Sequence, residues 1–206
     1  MAKRIMVFGD SNSWGYIAGT NAERFDAHIR WPGVLQETLG DHFIVLEEAL
    51  NGRTTVWDDP FKPDRNGRRH LPVLLESHHP LDLVIIKLGV NDLKSHFGLT
   101  APEIALGIAT LVEMIQQSPA NPPVLVVCPT RPVETESILR IKFAGAVARS
   151  ADLAEAFREV LTPLGVEVVD ANEVASATAI DGVHMDAAAH QAIGKQVGQA
   201  VQRILS

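Results

Sequence analysis

Four short segments of the sequence carry groups that could together transfer an acyl group. They are Gly9-Asp10-Ser11, Asn51-Gly52, Gly89-Val90-Asn91-Asp92 and Asp181-Gly182-Val183-His184. Acyl transfer through a covalent intermediate needs a nucleophile, a base that activates it, and hydrogen-bond donors for an oxyanion. Each segment alone is ordinary, because Asp-Ser, Asn-Gly and Asn-Asp are common in helix caps and turns. Their joint occurrence in one chain therefore carries the prediction.

The first and last segments supply a candidate nucleophile and base. Ser11 follows a predicted strand and stands near the start of a helix, where backbone N–H groups are available. Asp181 precedes His184 by three residues, so a bend at Gly182 would let the carboxylate orient the imidazole. We predict Ser11, Asp181 and His184 as the catalytic residues.

Gly52 and Asn91 are candidate oxyanion donors. Gly52 offers an N–H that no side chain shields, and Asn91 offers a side-chain amide. An oxyanion hole needs such donors fixed where negative charge develops.

Short apolar runs alternate with helical patterns along the whole chain. The predicted strands are Ile5–Phe8, Phe43–Glu47, Leu83–Leu88, Val124–Cys128 and Val166–Val169. Strands separated by helices indicate a parallel sheet, and such sheets bind ligands outside the carboxyl ends of their strands. Three of the four segments follow a strand end directly, so we expect them to meet at that edge.

Three helix boundaries can also be predicted. Thr100 and Glu103 have the spacing of a capping box that begins a helix. An apolar stripe starting at Leu153 ends near Pro163, and Asp186 is a suitable N-cap for the last helix.

Bulk composition limits the classes of function. The 206 residues fit one domain, 1–206, and 18 Lys and Arg against 25 Asp and Glu give a net charge of −7, which disfavours nucleic-acid binding. No run approaches the ~20 apolar residues of a membrane span. The single cysteine, Cys128, lies in an apolar run and is expected to be a buried structural thiol in a reducing compartment. We expect a cytoplasmic protein without metal or cofactor.

The four segments resemble those of the SGNH (GDSL-type) hydrolase family, and they occur in the family's order. The resemblance assigns Ser11, Gly52, Asn91 and His184 to the four named positions, with Asp181 completing the triad and the Ser11 N–H joining the oxyanion hole. The chain most resembles the bacterial aryl esterase and acyltransferase branch, judged by Met1–Ile5, by Trp14-Gly15 after Gly9-Asp10-Ser11, by Arg53-Thr54-Thr55 and by Leu81–Ile86. The resemblance implies an α/β flavodoxin-like three-layer α/β/α sandwich with a five-stranded parallel sheet of order 2-1-3-4-5.

The resemblance also implies a reaction. We expect a serine esterase that hydrolyses small aryl or short-chain esters through an acyl-serine, with acyl transfer to alcohols or peroxide and homo-oligomers both known in this branch. The alternatives are a carbohydrate O-deacetylase, a thioesterase or lysophospholipase, and a non-catalytic flavodoxin-like binding module.

Further residues are predicted to surround the site. We expect Asn12, Trp14 and Trp57, together with Tyr16, to line the substrate pocket, and the long connections 51–70 and 129–146 to form its walls.

Three polar features favour a structural interpretation. The basic stretch Lys62, Arg65, Arg68, Arg69 and His70 is more typical of a solvated loop or subunit contact than of a phosphate site. His78-His79-Pro80 predicts a surface turn rather than a zinc site. Lys87 interrupts an apolar strand, so it should reach solvent at a sheet edge or pair with an acid.

Overall fold

A parallel sheet of five strands forms the centre of the protein, which a computed structural model describes over residues 2–206. The strands are β1 Lys3–Gly9, β2 Phe43–Ala49, β3 Leu83–Lys87, β4 Val124–Cys128 and β5 Glu167–Asp170. Their spatial order is β2-β1-β3-β4-β5, and every neighbouring pair is parallel. The predicted α/β fold and strand order are confirmed.

Helices connect the strands and cover both faces of the sheet. Within residues 2–206 they are α1 Ser11–Trp14, α2 Trp31–Leu39, α3 Gly67–Ser77, α4 Ala101–Gln116, α5 Leu139–Lys142, α6 Ala146–Arg149, α7 Leu153–Leu161 and α8 Ala187–Leu205. None of them is long and apolar enough to cross a bilayer.

Side chains of the central strand β3 alternate between two hydrophobic cores. Val84 and Ile86 pack into the core formed with α4 and α7, whereas Leu83 and Ile85 pack into the core formed with α2 and α8. Burial on both faces explains why this strand reads as a continuous apolar run. The three-layer arrangement follows from these two cores.

The helix ends form as their sequences predict. Glu103 accepts a hydrogen bond of 2.7 Å from the Thr100 N–H at the start of α4. Asp186 accepts one of 2.8 Å from the Ala189 N–H at the start of α8. The helix α7 ends at Leu161, two residues before Pro163.

The first alternative predicted for Lys87, a position at a sheet edge, is wrong. The strand β3 lies between β1 and β4, so Lys87 is not at an edge, and its side chain is fully buried. Its Nζ has no hydrogen-bond partner within residues 2–206. Burial lowers the pKa of Lys87, and the nearby Asp10 carboxylate opposes that effect. The interaction with Asp10 is thus electrostatic rather than a direct ion pair.

Candidate active site

The turn after β1 places Ser11 at the carboxyl edge of the sheet. Asp10 caps α1 by accepting a hydrogen bond of 2.9 Å from the Asn12 N–H. A Cβ on Gly9 would lie 2.2 Å from the Ser13 Oγ, so only glycine fits this tight exit from the strand. Ser11 is consequently the first residue of α1, with its hydroxyl facing the loop before α8.

That loop brings an acid and a base to Ser11. The His184 Nε2 lies 3.0 Å from the Ser11 Oγ, and the His184 Nδ1 lies 2.6 Å from the Asp181 Oδ2. The other oxygen, Asp181 Oδ1, accepts hydrogen bonds from the N–H groups of Val183 and His184, at 3.1 and 2.9 Å. With its proton on Nδ1, the imidazole presents Nε2 as the acceptor for the serine hydroxyl.

Electrostatics keep Asp181 ionised. Burial alone would raise the pKa of Asp181, but the hydrogen bonds and charge of His184 outweigh burial and lower it. The bend between them depends on Gly182, which has a φ of 81° and whose added Cβ would lie 2.6 Å from the Val133 carbonyl oxygen. The Val133 N–H also donates to the Gly182 carbonyl, which holds the loop in place.

Two neighbouring turns carry the candidate oxyanion donors. Gly52 lies in the turn after β2 with a φ of 89°. Asn91 lies in a short 3₁₀ turn, Val90–Leu93, that follows β3. Its Nδ2 is buried and has no hydrogen-bond partner within the described part of the chain. A buried donor without a partner is costly, which supports a role in binding an oxyanion.

Asp92 connects these two turns, a link that the sequence did not reveal. Its Oδ1 accepts hydrogen bonds from the Thr55 N–H and hydroxyl, at 3.0 and 2.5 Å. Burial raises the pKa of Asp92 to about 6, although both bonds from Thr55 act to lower it. Both residues belong to segments already singled out, but their contact across the sheet requires the folded structure.

Arg53 makes a second link that sequence reasoning missed. Its guanidinium donates to the carbonyl oxygens of Gly9, at 2.9 Å, and of Glu48, and it lies 4.1 Å from the centre of the Phe8 ring. Burial lowers the pKa of Arg53 to about 10, partly opposed by Glu48. Arg53 therefore ties the loop that carries Gly52 to the end of β1.

These residues surround a cavity of about 410 Å³, a size typical of small-molecule sites. Its lining consists of Ser11, Tyr16, Gly19, Thr20, Asn51, Gly52, Lys62, Asn91, Lys94, Ser137, Ile138, Leu139, Lys142, Phe143, Asp181, Val183 and His184. All five residues predicted for catalysis and oxyanion binding are thus brought together. The connections 51–70 and 129–146 supply walls, as expected.

The predicted pocket residues behave differently. Asn12 is fully buried, and its amide donates to the Val183 carbonyl oxygen at 3.2 Å. Asn12 therefore stabilises the loop that carries His184. Trp14 lies under the Arg24 guanidinium, 4.9 Å from its ring centre, and Trp57 is 39% exposed. None of the three lines the cavity. The expectation fails because the first turn of α1 directs Asn12 inward and Trp14 away.

Tyr16 does line the cavity. Its ring stacks on the His184 imidazole with the centres 4.3 Å apart and an interplanar angle of 22°. The Tyr16 hydroxyl donates to the Thr20 carbonyl oxygen at 2.8 Å, which fixes the ring. This stacking limits the positions that the imidazole can adopt.

The basic stretch divides into parts with separate roles. Lys62 lines the cavity, and Arg65 donates to the Asn51 carbonyl oxygen at 2.9 Å. Arg69 is in the first turn of α3 and pairs with Asp58 at 2.6 Å. A solvated loop describes only part of this stretch, because folding turns Lys62 and Arg65 toward the site.

Two other expectations concern Cys128 and metal binding. Cys128 is buried in β4, as predicted, and burial raises the pKa of its thiol. Across residues 2–206, no group of three or more His, Cys, Asp or Glu side chains is placed to hold a metal ion.

A separate apolar groove of about 460 Å³ lies between α3 and α4 at the opposite end of the sheet, away from Ser11.

Fold and site together define an α/β protein with a Ser–His–Asp arrangement at the carboxyl edge of a parallel sheet. The sequence matches the GDSL-like lipase/acylhydrolase family over residues 7–192. The chain belongs to this family, which confirms the resemblance to SGNH hydrolases. No protein of curated function matches the sequence.

Solved structures give the same family assignment. The native aryl esterase of M. smegmatis is 38% identical with a TM-score of 0.95, the alignment covering 98% of this chain and 100% of that one. A carbohydrate acetylesterase family member from Sinorhizobium meliloti is 39% identical with a TM-score of 0.93 and coverages of 98% and 99%. Est24, a carbohydrate acetylesterase from the same organism, is 34% identical with a TM-score of 0.95 and the same coverages. The protein is an esterase of SGNH type.

Proposed function

We propose that this protein hydrolyses small carboxylic esters through an acyl-serine intermediate at Ser11. The observation that carries the proposal is the continuous hydrogen-bonded path from Ser11 Oγ through His184 to Asp181, with bonds of 3.0 and 2.6 Å. Likeness to the aryl esterase of M. smegmatis supports aryl esters as substrates.

The geometry supports a two-step reaction. Ser11 Oγ would attack the ester carbonyl while His184 Nε2 accepts its proton, and Asp181 would stabilise the imidazolium. The N–H groups of Ser11 and Gly52 and the Asn91 amide would hold the tetrahedral oxyanion. Collapse would break the ester C–O bond, and His184 would return its proton to the departing alcohol.

Release of the acyl group would repeat these events with a different nucleophile. Water would attack the carbonyl carbon of the acyl-serine while His184 accepts its proton. The bond from that carbon to Ser11 Oγ would then break, and His184 would return the proton to Ser11 Oγ as the carboxylic acid leaves. An alcohol or peroxide that reaches the carbonyl first would take the acyl group instead, so acyl transfer belongs to the same proposal.

Carbohydrate O-deacetylation is the second candidate. It is favoured by the likeness to two acetylesterases from S. meliloti. Part of the cavity wall is apolar, at Ile138, Leu139 and Phe143, and such a surface packs against an aryl or acyl group better than against a sugar ring. We therefore place aryl and short acyl esters first.

The test compares wild-type protein with Ser11→Ala on 4-nitrophenyl acetate and on an acetylated xylose. We expect Ser11→Ala to lower turnover by at least ~10³-fold, since the nucleophile is lost. Ser77→Ala is the matched control, because Ser77 is exposed at the end of α3. Equal activity in Ser11→Ala would refute the proposal, and turnover confined to the sugar acetate would favour the deacetylase.

A further inference from the structure

Three lysine side chains surround the cavity that holds Ser11 and His184. Lys62 comes from the loop after β2, Lys94 follows the 3₁₀ turn after β3, and Lys142 ends α5. The chain as a whole carries a net charge of −7. A concentration of positive charge at this one site is therefore not a consequence of composition.

The carboxylates near the cavity already have partners. Asp181 lines the cavity but is bonded to the catalytic imidazole. Lys94 Nζ donates to the buried Asp59 Oδ2 at 2.7 Å, so the charge of Lys94 is already neutralised by this carboxylate. Lys62 and Lys142 form no ion pair within residues 2–206. Two ammonium groups at this cavity thus form no ion pair within residues 2–206, although Asp59, which is bonded to Lys94, also acts on the pKa of Lys62 and raises it.

Lys62 is placed close to the reaction centre. A Cβ built on Gly52 would lie 3.3 Å from the Lys62 Nζ and 3.2 Å from its Cδ, so the side chain covers the Gly52 turn. Burial lowers the pKa of Lys62, and the cations around it, Arg65 first, lower it further. A negatively charged group that entered the cavity would therefore stabilise the ammonium form of Lys62.

We propose that the natural substrates are esters that carry a carboxylate, which Lys62 and Lys142 bind. Hemiesters of dicarboxylic acids and acylated hydroxy acids are the two forms of this class. Opposite charge would steer such substrates to the cavity and hold them there, as a lysine acts as a compact point charge. This inference rests on the proposed function, since it names the substrates of the same site.

The experiment measures selectivity between charged and neutral esters of similar shape. One pair places the carboxylate on the acyl side, mono-4-nitrophenyl glutarate against 4-nitrophenyl pentanoate. The other places it on the leaving group, 3-acetoxybenzoate against 3-acetoxybenzamide. The quantity compared between variants is the ratio of kcat/KM for the charged ester over the neutral one, so intrinsic reactivity cancels.

We expect Lys62→Met to lower this ratio by roughly fivefold in at least one pair, mainly through a higher KM, as for a partly exposed charge pair. Lys142→Met should lower the ratio for the same pair, and Lys62→Arg should restore it. In the wild type the ratio should fall at about 0.5 M NaCl, because salt screens exposed charges. Lys195→Met, which removes an exposed charge on α8, is the matched control and should leave the ratio unchanged.

An unchanged ratio in Lys62→Met for both pairs would overturn the proposal. So would an equal loss of kcat for the charged and neutral members of a pair, since that would assign Lys62 to the oxyanion instead. Failure of the proposed function would look different, as no ester would show Ser11-dependent turnover. In that event calorimetry of glutarate on the Ser11→Ala protein, with and without Lys62→Met, decides: weaker binding without the lysine supports the inference and equal binding refutes it.

Discussion

Acid should destabilise this fold through one buried imidazole, that of His190 on α8. Its Nδ1 accepts a hydrogen bond of 3.2 Å from the Trp31 N–H, so the ring is neutral in the folded state. Its Nε2 has no hydrogen-bond partner within residues 2–206. Burial lowers the pKa of His190 to about 3, and electrostatic effects of Lys87, His184 and Arg30 act in the same direction.

The sign and size of the effect follow from that pKa. An unfolded histidine titrates near ~6.5, so between about pH 6.5 and about pH 3 the unfolded chain binds a proton that the native protein does not. The free energy of unfolding must then fall as the pH falls through this window. One pKa unit corresponds to about 1.4 kcal/mol, so the whole shift is worth about 5 kcal/mol, of which about 3 kcal/mol is lost by about pH 4.

Urea unfolding of the wild type and His190→Asn at about pH 8 and about pH 4 measures this. The asparagine oxygen can replace Nδ1 as the acceptor for the Trp31 N–H but does not titrate. We expect the stability of the wild type relative to His190→Asn to fall by about 3 kcal/mol between the two conditions. His28→Asn, at an exposed position, should keep the wild-type dependence on pH. A difference between wild type and His190→Asn that stays constant with pH would refute the reasoning.

Three further predictions concern the site and the core. Asp181→Asn should lower kcat by roughly 10⁴-fold, because an amide donor at Nδ1 of His184 stabilises the wrong tautomer. Circular dichroism must show that the variant is folded. A loss of kcat below about tenfold would contradict the role of Asp181. Thr55→Val removes the hydroxyl that donates to Asp92, and the oxyanion donors should then be misplaced. We expect kcat for an aryl acetate to fall by as much as ~10²-fold with little change in KM. A change in KM alone would contradict a positioning role for Thr55. Cys128 should resist a thiol reagent such as a dithiobis-nitrobenzoate in the folded protein at neutral pH, since burial raises the pKa of its thiol. It should react once the protein is unfolded in urea. Rapid labelling of the native protein would contradict this prediction and would show that β4 opens.

The sequence predicts the sheet well because its strands are short, apolar and separated by helical patterns. The strand β4 has the predicted bounds, Val124–Cys128, and each of the others differs by one or two residues at one or both ends. Ends are harder to predict because a parallel strand continues as far as its neighbour offers hydrogen bonds. Thus β1 reaches Lys3 and Gly9, residues that no apolar pattern marks but that pair with Phe43 and Ala49 of β2.

The candidate site was predictable where it depends on local segments and not where it depends on contacts between them. Ser11 and His184 stand in short segments whose residue types already indicate acyl-transfer chemistry. The stacking of Tyr16 on His184 and the approach of Lys62 to Gly52 depend on how distant loops fold over the sheet edge. Trp57 shows the opposite error, because this aromatic residue is close to Gly52 in sequence but does not line the cavity.

Covalent labelling of the nucleophile tests the central claim most directly. The phosphorus of an aryl phosphonate ester bonds to the oxygen of a serine that a neighbouring base activates, and the phenolate leaves as its bond to phosphorus breaks. Mass spectrometry of the digested protein then locates the phosphonyl group. The account predicts one phosphonyl group per chain, on the peptide that contains Ser11, with loss of esterase activity in proportion to labelling. Ser11→Ala should remain unlabelled. A label on another residue, or a labelled protein that still hydrolyses an aryl acetate at the full rate, would contradict the account.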